Sequence, residues 1–136
     1  MENYKTIFSS AQNIAYMAHY KQYRKNNMPY FMHPWRVANK FRDYKLKTIA
    51  ILHDVFEDTN IDSDYLLKNN IPEDIVEILH ILNKNRYSSY ELYIKAIKKN
   101  NLATSVKIED ILDNLSDFPS KRQILKYAKA LQYLLT

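Results

Sequence analysis

The feature that most restricts this 136-residue sequence is the complete absence of glycine. Average usage of about 7% would place roughly nine glycines in a chain of this length. Glycine reaches positive φ angles and lets the backbone approach a phosphate closely. Its absence therefore excludes the Walker loop, the dinucleotide-binding fingerprint, the nucleophile elbow and the EF-hand loop. If the protein binds phosphates, it does so through side chains and metal.

Cysteine is also absent, which excludes disulfides, thiol catalysis and every cysteine-ligated zinc or iron–sulfur site. Any metal must therefore be bound by His, Asp and Glu. The longest apolar run, residues 49–52, is far shorter than the ~18 residues of a membrane span. Residues 1–4 do not begin a signal peptide. We therefore expect a cytoplasmic protein with no membrane partner.

Charge is distributed unevenly along the chain. Residues 1–48 hold nine basic and two acidic side chains. Residues 49–80 hold one basic and eight acidic side chains, and residues 81–136 hold ten basic and five acidic ones. The isoelectric point near 9.2 would suit weak attraction to nucleic acid, but the acidic central segment makes that partner unlikely. Acids between basic flanks can instead hold a divalent cation while the flanks bind the anion that it activates.

Apolar residues recur at helical spacing along the whole chain, and no segment alternates with period two. We expect an all-α fold of about seven to eight helices, forming a single domain over residues 1–136. The predicted helices cover residues 4–24, 34–41, 45–56, 63–69, 72–82, 88–99, 102–115 and 120–135. Asparagine pairs follow three of these helices and are expected to close them, because Asn adopts the left-handed conformation more readily than other residues with a side chain. These pairs are residues 26–27, 69–70 and 100–101.

The third predicted helix ends in a cluster of ionisable groups. His53 and Glu57 are four residues apart, as are Asp54 and Asp58, so they form two adjacent rows on the last turns of an apolar helix. Carboxylates near a core cost several kcal/mol each unless a cation or a metal compensates them. For any one of these residues alone, a solvated helix end is the alternative interpretation.

Two further segments strengthen the metal hypothesis. The predicted helix over residues 102–115 presents Asp110, Asp113 and Asn114 along one side. His33 lies in a proline-stiffened loop beside Pro34, as suits a metal ligand. Two imidazoles and two carboxylates would make a set of nitrogen and oxygen ligands suited to Mn²⁺, Fe²⁺ or Zn²⁺.

The order of these residues resembles a known family. His33-Pro34, His53-Asp54 and Asp110 resemble the H…HD…D signature of the HD-domain phosphohydrolases. More narrowly, the chain resembles the hydrolase domain of the RelA/SpoT family, and the Glu57-Asp58 pair after the HD dyad is the specific part. The matching segments are residues 24–25, residues 29–34, residues 52–59, residues 106–110 and Asn114.

The resemblance implies an activity, a cofactor and a substrate. The expected protein is a metal-dependent hydrolase of the stand-alone small alarmone hydrolase type, acting in the stringent response. It would remove the 3′-pyrophosphate of guanosine tetra- or pentaphosphate, (p)ppGpp, releasing pyrophosphate and GDP or GTP. The expected cofactor is Mn²⁺, with another divalent transition metal as the alternative. The oligomeric state is left open by the sequence.

The resemblance also implies roles for particular residues. Its implied metal ligands are His33, His53, Asp54 and Asp110. The residues implied to orient and deprotonate the attacking water are Glu57 and Asp58. The implied contacts to the nucleotide are Arg24, Lys25 and Asn114, with Tyr127 as a weaker prediction for a residue lining the pocket.

The chain departs from the family pattern at three places, which keeps two alternatives open. Asn26-Asn27 stands where the family usually has a pair of small residues such as Ser-Gly. Ile111 stands where arginine is common, and Asp113 stands where histidine or tyrosine is frequent. One alternative is an HD phosphohydrolase acting on another nucleotide with a 3′-phosphate or pyrophosphate. The other is a catalytically weak nucleotide-binding regulator, against which the retained Glu57 and Asp58 argue.

Overall fold

The computed structural model describes residues 3–136, so Met1 and Glu2 lie outside the described residues. These two residues belong to the segment that is predicted not to begin a signal peptide. Within that range the chain forms nine α-helices and no strand, apart from an isolated bridge between Tyr23 and Pro29. The all-α prediction is confirmed. The helices are α1 (Tyr4–Ala18), α2 (Met32–Ala38), α3 (Tyr44–Leu52), α4 (Val55–Asp58), α5 (Ser63–Lys68), α6 (Glu73–Ile81), α7 (Tyr90–Lys98), α8 (Asn101–Leu115) and α9 (Lys121–Leu135).

Side-chain caps explain where most of these helices begin. Asp43, Asp62, Ser89 and Asn100 each accept a hydrogen bond from a backbone N–H in the first turn of the helix that follows. Ser120 begins α9 with a reciprocal capping box. Such caps satisfy N–H groups that have no partner inside the helix, each contributing about 1 kcal/mol. The predicted starts of these helices therefore agree with the structure to within one or two residues.

Two predicted helices differ from the observed ones. The first ends at Ala18 and not near residue 24, because Lys21 adopts a left-handed φ of 68° soon after the helix. The helix predicted over residues 45–56 is divided into α3 and α4, which raises the number within residues 3–136 above the expected seven to eight. The interruption falls at His53 and Asp54, where the imidazole Nδ1 of His53 donates to the carbonyl oxygen of Ala50 at 2.6 Å.

The asparagine pairs serve three different purposes. Asn70 closes α5 in the left-handed conformation, with φ of 67° and a backbone hydrogen bond from Ile71 to Leu66, as predicted. The pair at residues 26–27 is also left-handed but lies in a 3₁₀ turn and not at the end of an α-helix. The prediction for residues 100–101 is wrong: Asn100 begins α8, because its side chain accepts a hydrogen bond from the first turn.

The central element of the core is α3, which packs against α1, α2, α6 and α8. Residues 48–52 of α3 are all buried. Because α8 crosses both α2 and α3, residues from these three helices meet at the C-terminal end of α3. Among the helices of residues 3–136, none has the length and hydrophobicity needed to cross a bilayer.

Candidate metal centre and active site

Four buried side chains converge where α2, the α3–α4 junction and α8 meet. One ligand-type atom from each of His33, His53, Asp54 and Asp110 lies within 4.8 Å of the others. Both His33 Nε2 and His53 Nε2 face Asp110 Oδ1, at 2.8 and 3.1 Å respectively. His53 Nε2 also lies 3.1 Å from Asp54 Oδ2. The fold thus brings together all four residues that the sequence predicts as metal ligands.

Each imidazole is oriented by a hydrogen bond from its other nitrogen. His53 Nδ1 donates to the Ala50 carbonyl oxygen, and His33 Nδ1 donates to Asp113 Oδ2, both at 2.6 Å. Partners of this kind hold the Nε2 atom of a histidine toward a metal. Burial alone would lower the pKa of both histidines, but the surrounding carboxylates outweigh it and raise each pKa. A cation bound among the carboxylates would take the place of these protons.

Asp113 links the cluster to Arg36. Arg36 contacts its carboxylate through both Nε, 2.8 Å from Oδ1, and Nη2, 3.1 Å from Oδ2. Burial would raise the pKa of Asp113, but hydrogen bonds from His33 and Arg36 hold that pKa well below its usual range. The sequence places Asp113 on the same helix face as Asp110 but predicts neither its contact with Arg36 nor a role for Arg36. Arg36 follows His33 and Asp113 follows Asp110 by three residues, so each lies on the helix face of a predicted ligand, but no pattern in the sequence joins the two helices.

Glu57 and Asp58 lie on α4 beside the predicted metal ligand Asp54. Carboxylate oxygens from these three residues lie within 4.8 Å of one another. Glu57 Oε1 accepts a hydrogen bond from the backbone N–H of Lys84 at 2.6 Å. Burial, and then the charge of Asp54, raises the pKa of both Glu57 and Asp58. A carboxylate with a raised pKa is better suited to accept a proton from water.

The Tyr30 side chain connects the carboxylates of Asp54 and Asp58. Its hydroxyl lies 2.7 Å from Asp54 Oδ2 and 3.1 Å from Asp58 Oδ2. Burial, followed by the charges of these acids, raises the pKa of Tyr30, so the hydroxyl stays protonated and donates. The residue belongs to the segment 29–34 that carries the family resemblance, but the sequence alone did not indicate this contact.

The predicted nucleotide-binding residues line one cavity of about 380 Å³ next to the cluster. Arg24 donates from Nη2 to Asn114 Oδ1 at 2.7 Å, and its Nε lies 3.1 Å from Asp117 Oδ2. Lys25 donates to the Phe118 carbonyl oxygen at 2.8 Å. The amide nitrogen of Asn114 also lies 3.5 Å from the Tyr127 hydroxyl. The cavity is therefore lined by all four predicted residues, Arg24, Lys25, Asn114 and Tyr127.

Several residues that the sequence did not indicate also line this cavity: Lys84, Tyr90, Lys107 and Lys126. Lys107 is buried, and its Nζ donates to Asp110 Oδ2 at 2.8 Å. Burial would lower the pKa of Lys107, but Asp110 outweighs it and raises the pKa. The spacing of three residues between Lys107 and Asp110 on one helix was an available signal.

The chain is similar to known proteins, although no family model matches it. The chain is 37% identical over 84 residues to the guanosine-3′,5′-bis(diphosphate) 3′-pyrophosphohydrolase of Borreliella burgdorferi. That match covers 59% of this chain, which spans 12% of the curated relative. A solved structure described as a metazoan ortholog of SpoT that hydrolyzes ppGpp superimposes with a TM-score of 0.80 at 24% identity. The superposition covers 93% of this chain and 84% of the solved chain, so the two chains share a fold.

Proposed function

We propose that this protein is a metal-dependent pyrophosphohydrolase that removes the 3′-pyrophosphate of (p)ppGpp, releasing pyrophosphate and GDP or GTP. The observation that carries the proposal is the convergence of the four-ligand cluster with Glu57 and Asp58 at one side of a cation-lined cavity. The named activities of the two similar proteins support the same reaction. We place the reaction in the cytoplasm, where guanine nucleotides are made and used.

The proposed metal ligands are His33, His53, Asp54 and Asp110, and the proposed ion is Mn²⁺. Two imidazole nitrogens and two carboxylates fit Mn²⁺, Fe²⁺ or Zn²⁺. When bound, such an ion would lower the pKa of water and offset negative charge on the phosphate oxygens. The protein prepares the site by directing both Nε2 atoms toward the carboxylates.

Glu57 and Asp58 are proposed to orient the attacking water and accept its proton. One oxygen of Glu57 is held by the backbone N–H of Lys84, and Tyr30 donates to Asp58, so neither carboxylate rotates freely. The raised pKa of each group narrows the difference between its proton affinity and that of the attacking oxygen. Tyr30 acts as a positioning residue between Asp54 and Asp58.

Arg24, Lys25, Asn114 and Tyr127 are proposed to bind the nucleotide. A guanidinium offers paired N–H donors to phosphate oxygens, whereas an ammonium acts as a point charge. Arg24 is already oriented by Asn114 and Asp117, so little side-chain freedom is lost when a phosphate binds. The ring of Tyr127 gives the cavity an aromatic surface against which a base can pack.

The test is to incubate the purified protein with Mn²⁺ and ppGpp and to follow pyrophosphate release. The parent protein should release one pyrophosphate per nucleotide, and Asp54→Asn and Glu57→Gln should each lose most of this activity. Asp64→Asn, an exposed carboxylate on α5, is the matched control and should turn over normally. No turnover by a parent protein with metal shown to be bound would refute the proposed substrate. Nucleotide binding without turnover would favour a regulator.

A second nucleotide substrate is favoured by one observation. Asp113 Oδ2 lies 3.4 Å from Arg24 Nη1, so a negative charge stands beside a proposed phosphate-binding arginine. An anion at that arginine therefore meets partial repulsion, which would favour a nucleotide with fewer phosphates on that side. The same assay with nucleotides carrying a 3′-monophosphate distinguishes the two substrates by their kcat/KM values.

A further inference from the structure

Two cations that line the cavity, Lys84 and Lys126, have neither an acidic partner nor a side-chain hydrogen bond from their ammonium group among residues 3–136. Lys84 lies in the 3₁₀ turn Lys84–Arg86 after α6, and Lys126 lies on α9. In the part of the chain that the structure describes, the cavity cations Arg24 and Lys107 form ion pairs and Lys25 donates to the Phe118 carbonyl oxygen, whereas the ammonium groups of Lys84 and Lys126 do neither. Two positive charges in this part of the cavity thus remain available to an anion.

Lys126 is held in place although it has no acidic partner. Its Nζ lies 4.8 Å from the centre of the Tyr90 ring and 4.9 Å from that of Tyr127. Burial, followed by the positive charges of Lys84 and Lys107, lowers the pKa of Lys126. Cations that repel one another in a partly buried cavity are stabilised when an anion lies among them.

Tyr90 adds a hydrogen-bond donor at the same place. Its hydroxyl oxygen is buried and has no hydrogen-bond partner among residues 3–136. Burial is the main cause that raises the pKa of Tyr90 to about 12, so the group carries its proton at neutral pH. A buried hydroxyl without a partner costs free energy, which a ligand oxygen would recover.

The space around these residues is open on two sides. Lys84, Tyr90 and Lys126 line both the main cavity and an adjoining cavity of about 420 Å³. The adjoining cavity is also lined by Ser88 and Ser89, whose small polar side chains leave room for a hydrated anion. A phosphate at the boundary would therefore displace no core side chain.

We propose that Lys84, Tyr90 and Lys126 form an anion subsite that binds phosphate oxygens of the nucleotide. This inference depends on the proposed function in one respect, which is that the ligand is a phosphorylated nucleotide. The backbone N–H of Lys84 is bonded to Glu57, which places this subsite next to the proposed catalytic carboxylates. Two phosphate groups fit this chemistry: the pyrophosphate that leaves, and the 5′-diphosphate that stays with the nucleoside.

Calorimetric titration of the full chain, loaded with one equivalent of Mn²⁺, with sodium pyrophosphate and separately with GDP tests the proposal. Lys126→Met should weaken the binding of one of these ligands about tenfold, the loss typical of one charge-assisted hydrogen bond. Tyr90→Phe should weaken the same ligand, and Lys126→Arg should retain most of its affinity. Lys129→Met is the matched control, because Lys129 is exposed on the same helix and does not line the main cavity.

The ligand that is affected identifies the phosphate group. Weaker pyrophosphate binding assigns the subsite to the leaving group, and weaker GDP binding assigns it to the 5′-diphosphate. If Lys126→Met binds both ligands as Lys129→Met does, or if the parent protein binds neither, the subsite is refuted. Because these titrations measure binding alone, a failure of ppGpp turnover would contradict the proposed function without changing this result.

Discussion

Replacing Asp113 by asparagine should weaken metal binding, because the carboxylate orients the predicted metal ligand His33. Asp113 receives His33 Nδ1 at 2.6 Å and two donors of Arg36 at 2.8 and 3.1 Å. Asparagine keeps the shape but removes the charge, and its amide can turn an N–H group toward the imidazole. The substitution therefore removes the interaction that leaves His33 Nε2 free to bind a cation.

The expected size of the effect follows from these contacts. A hydrogen bond to a charged group contributes about 1.5–3 kcal/mol, which corresponds to roughly a 10- to 100-fold change in Mn²⁺ affinity. The Arg36 side chain is 35% exposed, so solvent compensates for the loss of its partner, and that ion pair contributes about 1 kcal/mol or less to stability. The Kd for Mn²⁺ should thus rise roughly 10- to 100-fold, and the free energy of unfolding of the metal-free chain should fall by about 1.5–3 kcal/mol because the buried His33 hydrogen bond is weakened as well.

The assay is competition for Mn²⁺ against a fluorescent chelator, combined with thermal unfolding of the same samples. Asp117→Asn is the matched control, because it removes the same charge near the cavity but contacts Arg24 and not His33. Equal Kd values for Asp113→Asn and Asp117→Asn would refute the role of Asp113 in orienting His33. A loss of stability in Asp113→Asn with an unchanged Kd for Mn²⁺ would instead indicate a purely structural role.

Three further predictions concern the cluster and its neighbours. The pKa values of His33 and His53 are raised in the folded chain. Without metal, the contribution of these two groups to the free energy of unfolding is therefore fully present below about pH 6.5, and it is lost as pH rises through their folded-state pKa values. Added Mn²⁺ competes with these protons and should raise the Tm more at pH 8 than at pH 6; an equal rise at both values would contradict this. Tyr30→Phe should lower kcat about tenfold with little change in KM, because the lost hydroxyl positions Asp58; a change in KM alone would indicate substrate contact. Lys107→Met should lower the free energy of unfolding of the metal-free chain by about 1–3 kcal/mol in urea titration, because Asp110 loses its lysine partner and keeps the two imidazoles; Mn²⁺ should restore part of that loss, and an unchanged free energy of unfolding would contradict the role of this ion pair.

Helical periodicity predicts the helices of this fold well and their interruptions poorly. The helices that carry one apolar face, such as α7 and α9, are found within two residues of their observed ends. By contrast, α3 is apolar on most sides, so periodicity carries no information on where it stops. The interruption at His53 and Asp54 coincides with the hydrogen bond from the His53 side chain to the Ala50 carbonyl oxygen, and an apolar pattern does not report that contact.

For the site, the sequence predicts the residues within its motifs but not the contacts between motifs. His33, His53, Asp54 and Asp110 follow from the resemblance, and the structure brings them together. The contact of Arg36 with Asp113 joins residues 77 positions apart, and no spacing rule connects α2 with α8. The same holds for Lys84 and Lys126, which meet only because α9 packs over the cavity. Asn100 shows a local ambiguity, since one residue between two helices can end the first or begin the second.

The most direct test of metal-dependent 3′-pyrophosphate hydrolysis is to identify the products formed from ppGpp. Chromatography with phosphorus NMR should find GDP and pyrophosphate in equal amounts when Mn²⁺ is present, and neither product after EDTA treatment. Release of orthophosphate in place of pyrophosphate, or equal turnover with and without metal, would contradict the account.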